Sequence, residues 1–119
     1  MRDHFKLRAF ELADELALKI YQATKDFPRE EMYGLTSQMR RAAVSVPSNI
    51  VEGCARESQG EYLRFLGIAF ASLRELHYQF SLAKRLGYLK ESDKLNNNES
   101  KIVETEKVLG ALIRALRKT

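Results

Sequence analysis

Residues 58–87 read SQGEYLRFLGIAFASLRELHYQFSLAKRLG, and this stretch decides the fold. Tyr62, Leu66, Ala69, Leu73, Leu76, Phe80 and Ala83 follow one another at steps of four and three. That spacing places all seven on one side of an α-helix, as a heptad seam. Ser58 and Glu61 stand at the separation of a capping box, in which each residue satisfies a backbone N–H of the first turn. Gly87 closes the far end. A helix from Gln59 to Leu86 is roughly 42 Å long at about 1.5 Å per residue. A seam of that length must be covered by other helices.

Those helices lie on either side of it. Upstream, Phe10, Ala13, Ala17, Ile20 and Tyr21, flanked by Leu16, form an apolar stripe that predicts a helix over about Leu7–Thr24. It stops at Phe27-Pro28, because the residue before proline is pushed out of the α region. Residues 29–34 read as a loop or single turn. Leu35, Met39, Ala42, Ala43, Val46 and Ile50 then predict a second helix to about Cys54, with Gly53 near its end as a candidate left-handed cap. Pro47 lies inside it. The apolar spacing runs through the proline, so one kinked helix is expected, with the Ala43 carbonyl deprived of its N–H and Ser45 or Asn49 nearby. Downstream, Leu95, Ile102, Leu109 and Leu116 fall seven apart, with Leu112 and Ile113 beside them. They predict a fourth helix from about Ser92, its first turns weakened by Asn96, Asn97 and Asn98. No strand pattern occurs, and short connections favour antiparallel neighbours. The expected fold is an all-α, antiparallel up-down four-helix bundle spanning residues 1–119 as one domain.

Composition agrees. A chain of 119 residues with 45% hydrophobic and 30% charged side chains falls in the globular range. The single Cys54 excludes an internal disulfide and fits a reducing cytoplasm. Arg2, Asp3, His4, Lys6 and Arg8 interrupt any apolar leader, and no apolar run is long enough to span a membrane. The net charge of +4 is unevenly placed. Residues 1–60 carry nine basic and nine acidic side chains, and residues 61–119 carry eleven and seven. From Lys107 onward, Lys107, Arg114, Arg117 and Lys118 meet no acid. Such a tail either attracts polyanions or simply suits a helix C-terminus.

Catalysis finds no foothold. His4 and His77 have no second histidine or cysteine at ligand spacing, and the glycines form no phosphate loop. No catalytic residue, metal or cofactor is expected. Two other patterns carry information. Gln38, Arg41, Ser45, Asn49 and Glu52 form a polar stripe beside the apolar face of the second helix, where small residues at 42, 43, 45 and 48 admit a close neighbour. The stripe reads as a device that fixes helix register, as a ligand groove or as a subunit contact. Folding about a turn near Arg56 levels Arg41 with Ser72 and Glu52 with Arg64. This brings Glu75 within one turn of Arg41 and predicts an ion pair between them. The second pattern is a scattered basic surface of Arg74, Lys84, Arg85, Lys107, Arg114, Arg117 and Lys118. Arg40, read as facing outward, completes it. This is a set of phosphate contacts or merely solvated helix faces. Leu7, Leu12, Phe65, Ile68 and Phe70 lie on or beyond the edges of the seams, which predicts self-association.

Several runs together carry a resemblance. Phe27-Pro28, Glu30-Glu31, Tyr33-Gly34-Leu35 and Gln38 through Gly53 are the first of them. Phe65-Leu66-Gly67-Ile68-Ala69, Ser72-Leu73, Glu75-Leu76 and Leu86-Gly87-Tyr88-Leu89 are the later ones. Nearly the whole chain resembles the four-helix-bundle family of 23S rRNA intervening sequence proteins. The resemblance implies ring-like pentamers. It also implies kinship with the accessory variability protein of diversity-generating retroelements, a basic pentameric barrel that works with a reverse transcriptase and RNA. The expectation is a cytoplasmic, non-catalytic, oligomeric adaptor that binds RNA or DNA through a basic face of helices 3 and 4, with no membrane role and open to a partner protein. The competing expectation is a protein–protein scaffold without nucleic acid.

Overall fold

A computed structural model describes residues 2–90 and 92–119. Four helices dominate: α1 (Arg8–Ala23), α2 (Leu35–Cys54), α3 (Gln59–Arg85) and α4 (Asp93–Arg117). Single 3₁₀ turns, His4–Lys6 and Arg29–Glu31, precede α1 and α2. Each helix packs on its neighbours in sequence and α4 closes against α1, while the diagonal pairs α1/α3 and α2/α4 stand further apart across the core. This is the up-down bundle, 44 × 27 × 20 Å. No strand occurs among the described residues.

The α3 seam is the centre of the core. All seven of its apolar residues are buried, against Met39, Val46 and Ile50 of α2 and Ile102 and Leu109 of α4. α1 is turned relative to its expected stripe. Ala9, Leu12, Ala13, Leu16 and Ile20 are buried, whereas Phe10 and Ala17 sit at the edge and Tyr21 is 42% exposed. The face of α1 must meet α2 and α4 together, so its buried arc centres on Leu16 between them. The same packing corrects the reading of two edge residues, since Leu12 and Phe65 belong to the core and Ile68 alone of that set is exposed.

Ends are set by local chemistry. Ser58 Oγ accepts from Glu61 N at 3.1 Å, as the capping box requires. Glu61 does not return the bond, because Arg64 Nε takes its carboxylate at 2.9 Å. Ser92 Oγ caps α4 through Leu95 N at 3.1 Å. The asparagines after it are helical, and Asn98 is buried, so these weak helix formers do not interrupt the first turns. Gly87, at φ +80°, ends α3. Tyr88 N bonds Ala83 O and Gly87 N bonds Lys84 O, the pair of reverse bonds that a left-handed glycine permits.

Gly53 does not have that role. It lies within α2, and a Cβ there would stand 3.0 Å from Phe65 Cβ and 3.3 Å from the Tyr62 carbonyl oxygen. It is a point of close approach between α2 and α3. α2 runs as one helix through Pro47, and Asn49 Nδ2 donates to Ser45 O at 2.8 Å and to Ser45 Oγ at 2.9 Å beside it. The turn before α2 is locked by Glu31. Its carboxylate accepts from Leu35 N at 3.1 Å and from Tyr88 Oη at 2.9 Å. These bonds hold the Glu31 carboxyl below its ordinary value, the backbone bond foremost.

Candidate nucleic-acid interface

The expected basic surface divides into two groups. Arg74 and Lys84 are neutralised within the bundle: Arg74 Nη1 lies 3.0 Å from Glu106 and Lys84 Nζ 3.2 Å from Glu99, each pair joining α3 to α4. Glu106 also meets His77 Nδ1 at 2.8 Å, which gives that histidine a structural partner. Arg85 bonds Ser81 O and lies over the Tyr78 ring at 6.0 Å. Lys107, Arg114, Arg117 and Lys118 are exposed and enter no ion pair among the described residues. They run along the C-terminal half of α4, and in its last turn Arg114 and Arg117 also complement the helix dipole.

Arg114 and Arg117 border a pocket of about 250 Å³ between α3 and α4, floored by Gly67, Gly110, Phe70 and Ile113. The two glycines add no side chain to that floor. A Cβ on Gly110 would stand 3.3 Å from Arg114 Nη1 and 3.6 Å from Phe70 Cε2. The sequence reading passed over these glycines. The signal lay in two glycines at helix-interior positions, each of which weakens its helix by about 1 kcal/mol relative to alanine.

Arg40 departs from its expected outward role. Its Nε donates to Thr24 Oγ1 at 2.8 Å, and its guanidinium lies 4.8 Å from the Tyr21 ring centroid. A further bond to Tyr21 O, which also accepts from Thr24 Oγ1, makes it a clamp on the C-terminus of α1, the negative end of that helix. Arg41 is the member of the doublet that faces solvent.

The polar stripe also divides. Ser45 and Asn49 do fix register: Ser45 Oγ and Ser72 Oγ are 2.8 Å apart across α2 and α3. Gln38, Arg41 and Glu52 face solvent, and Glu52 pairs with Arg56 at 3.7 Å. The predicted Arg41–Glu75 ion pair is not formed, and both side chains are exposed. Register is not the reason: Ser45, not Arg41, levels with Ser72, because the turn between the helices is centred after Arg56, and this leaves Arg41 and Glu75 closer in height than expected. Both side chains are solvated instead, and a guanidinium in water needs no carboxylate.

Cys54 is buried, and burial pushes its thiol up. Its neighbour Tyr62 is pushed up to about 12, first by burial and then by Cys54. Cys54 is thus a core residue, and Arg2 lies 4.1 Å over the ring of the neighbouring Tyr62. No cluster of metal-ligating side chains occurs among the described residues. No described helix is long and apolar enough to cross a membrane.

An all-α bundle with an open basic groove between its last two helices defines the class. Residues 5–111 match the family model of the 23S rRNA-intervening sequence protein, and the chain belongs to that family. A crystal structure of a protein of unknown function from the S23 ribosomal protein family of Bacteroides thetaiotaomicron shares the fold. Its TM-score is 0.77 at 21% identity, over 88% of this chain and 97% of that one. No curated protein matches the chain.

Proposed function

We propose that the chain is a non-catalytic adaptor, assembled from several copies of itself, that contacts RNA or DNA through the C-terminal half of α4. One observation carries the reading: Lys107, Arg114, Arg117 and Lys118 are exposed and enter no ion pair among the described residues, while Arg74 and Lys84 of α3 are held by carboxylates. Charges held in internal pairs have little to offer a phosphate, and free ones have a full charge to offer. The groove beside Arg114 and Arg117 gives an unpaired nucleotide room to approach the helix backbones. The rings implied by the resemblance support the multi-copy part, because repetition concentrates a modest charge.

A titration of the full chain against single-stranded RNA and DNA at 50 and 200 mM salt tests this. Four phosphate contacts predict a salt slope of about −2.8 and about a 50-fold loss of affinity over that range. Arg114→Glu with Arg117→Glu should cut the slope to about −1.4 and the loss to about sevenfold. Binding that ignores salt, or a double variant that binds as the wild type does, refutes the interface. The scaffold reading is favoured by a separate observation, the exposed apolar residues around Arg41, and predicts no nucleic-acid binding at any salt.

A further inference from the structure

Tyr21, Tyr62, Phe65 and Tyr78 each have an arginine guanidinium over the ring. Phe70 differs. It is half-buried on α3 and lines the pocket that Arg114 and Arg117 border, yet no guanidinium and no second ring covers it among the described residues. Its ring edge and the Arg114 side chain still converge. Phe70 Cε2 and Arg114 Nη1 come within 3.6 and 3.3 Å of one point, the place a Cβ on Gly110 would take.

Gly67 lines the same pocket for a different reason. A Cβ there would meet nothing within 4 Å, so packing makes no demand for glycine, although glycine weakens the helix. What its missing side chain provides is space. The result is a cavity of about 250 Å³ with an aromatic side, the apolar Ile113 beneath, two cations at the rim and no carboxylate in its lining. That combination suits a flat group with a π-face and negative charge close on either side of it. A nucleotide in an unpaired strand is such a group, since its base can leave the stack and its phosphates flank it. In a double helix the bases are stacked on one another and closed to an aromatic side chain.

We propose that this pocket takes one unstacked base of a single-stranded nucleic acid against Phe70, with the flanking phosphates on Arg114 and Arg117. The inference rests on the proposed nucleic-acid interface and deepens it, from a positive edge that attracts any polyanion to a site that requires an unpaired base.

Strands of equal charge with and without bases test this, using the full chain and fluorescence anisotropy at fixed salt. The probes are a short oligouridylate, an oligothymidylate of the same length and the oligothymidylate backbone lacking its bases. The wild type should bind each base-carrying strand at least about fivefold more tightly than the baseless one, the least that stacking on an aromatic side chain is worth. Gly67→Leu fills the open space, favours the helix and changes no charge. It should abolish the preference for bases and leave the salt slope where the wild type has it, with circular dichroism confirming the fold. A wild type that binds the baseless strand as tightly as either of the others overturns the pocket and leaves the phosphate interface standing. A folded Gly67→Leu chain that keeps the preference does the same. A wild type that binds none of the three strands overturns both.

Discussion

The same substitution, glycine to alanine, should have opposite effects at two helical positions. In a helix interior alanine is favoured over glycine by about 1 kcal/mol, because the chain loses less backbone entropy on folding. At Gly67 nothing lies within 4 Å of the position a Cβ would take. Gly67→Ala should therefore keep that gain, and raise the melting temperature by about 4 °C in a domain of this size. At Gly53 the added methyl meets Phe65 Cβ at 3.0 Å, Tyr62 Cδ1 at 3.2 Å and the Tyr62 carbonyl oxygen at 3.3 Å. The first and last of these belong to the body of α3, which cannot retreat alone. Overpacking of this kind costs about 1–3 kcal/mol, which cancels or exceeds the propensity gain. Gly53→Ala should come out about 1–3 kcal/mol less stable than Gly67→Ala. Chemical denaturation of both variants and the wild type measures the difference. A Gly53→Ala protein as stable as Gly67→Ala would show that α2 and α3 do not approach as closely as argued.

Three further outcomes are expected. Leu16→Ala, at a fully buried position on α1, should destabilise the bundle by about 2–5 kcal/mol in the same assay, and a loss below about 1 would remove α1 from the core. Glu31 has a lowered pKa when folded, so the stability it adds is present above its unfolded value and is lost as pH falls through the folded one. Glu31→Gln should thus be less stable than wild type at pH 7 and approach it below about pH 4; a gap that stays constant in urea titrations across that range refutes the assignment. A crystal structure should show α2 bent by about 20° or more at Pro47, with no N–H on the Ala43 carbonyl, and a straight axis there would refute the kink.

The bundle was legible because its signals are local and repeated. The α3 seam, the Ser58 and Ser92 caps and the Gly87 stop each depend on a few residues in one stretch. What the sequence hid depends on how elements meet. Helical spacing shows that Leu12 and Tyr21 lie near an apolar arc, but the place of α4 decides which of them is buried. Arg40 and Arg41 are identical as letters. Their rotation by one residue sends the first to the carbonyls of α1 and the second to water. The register of α2 against α3 turned on the centre of a four-residue connection, and an error there moved every predicted cross-helix pair by about a turn. Of the basic surface, the exposed α4 tail could be read from a run without acids. The neutralisation of Arg74 and Lys84 could not, since Glu106 and Glu99 lie on another helix.

The proposed interface depends on where the bundle holds its free charge. Gly67 and Phe70 of α3 line the pocket that Arg114 and Arg117 border. The end of α4 is tied to the start of α3, where Gln59 Nε2 donates to Leu116 O at 3.2 Å, so its cations stay at that end of the bundle. A chain of only +4 thus gathers a local positive edge without any change in its fold. Arg41→Glu, which touches no residue of that pocket, should therefore leave the salt slope of RNA binding where the wild type has it, and a slope that falls with this substitution would place the contact elsewhere.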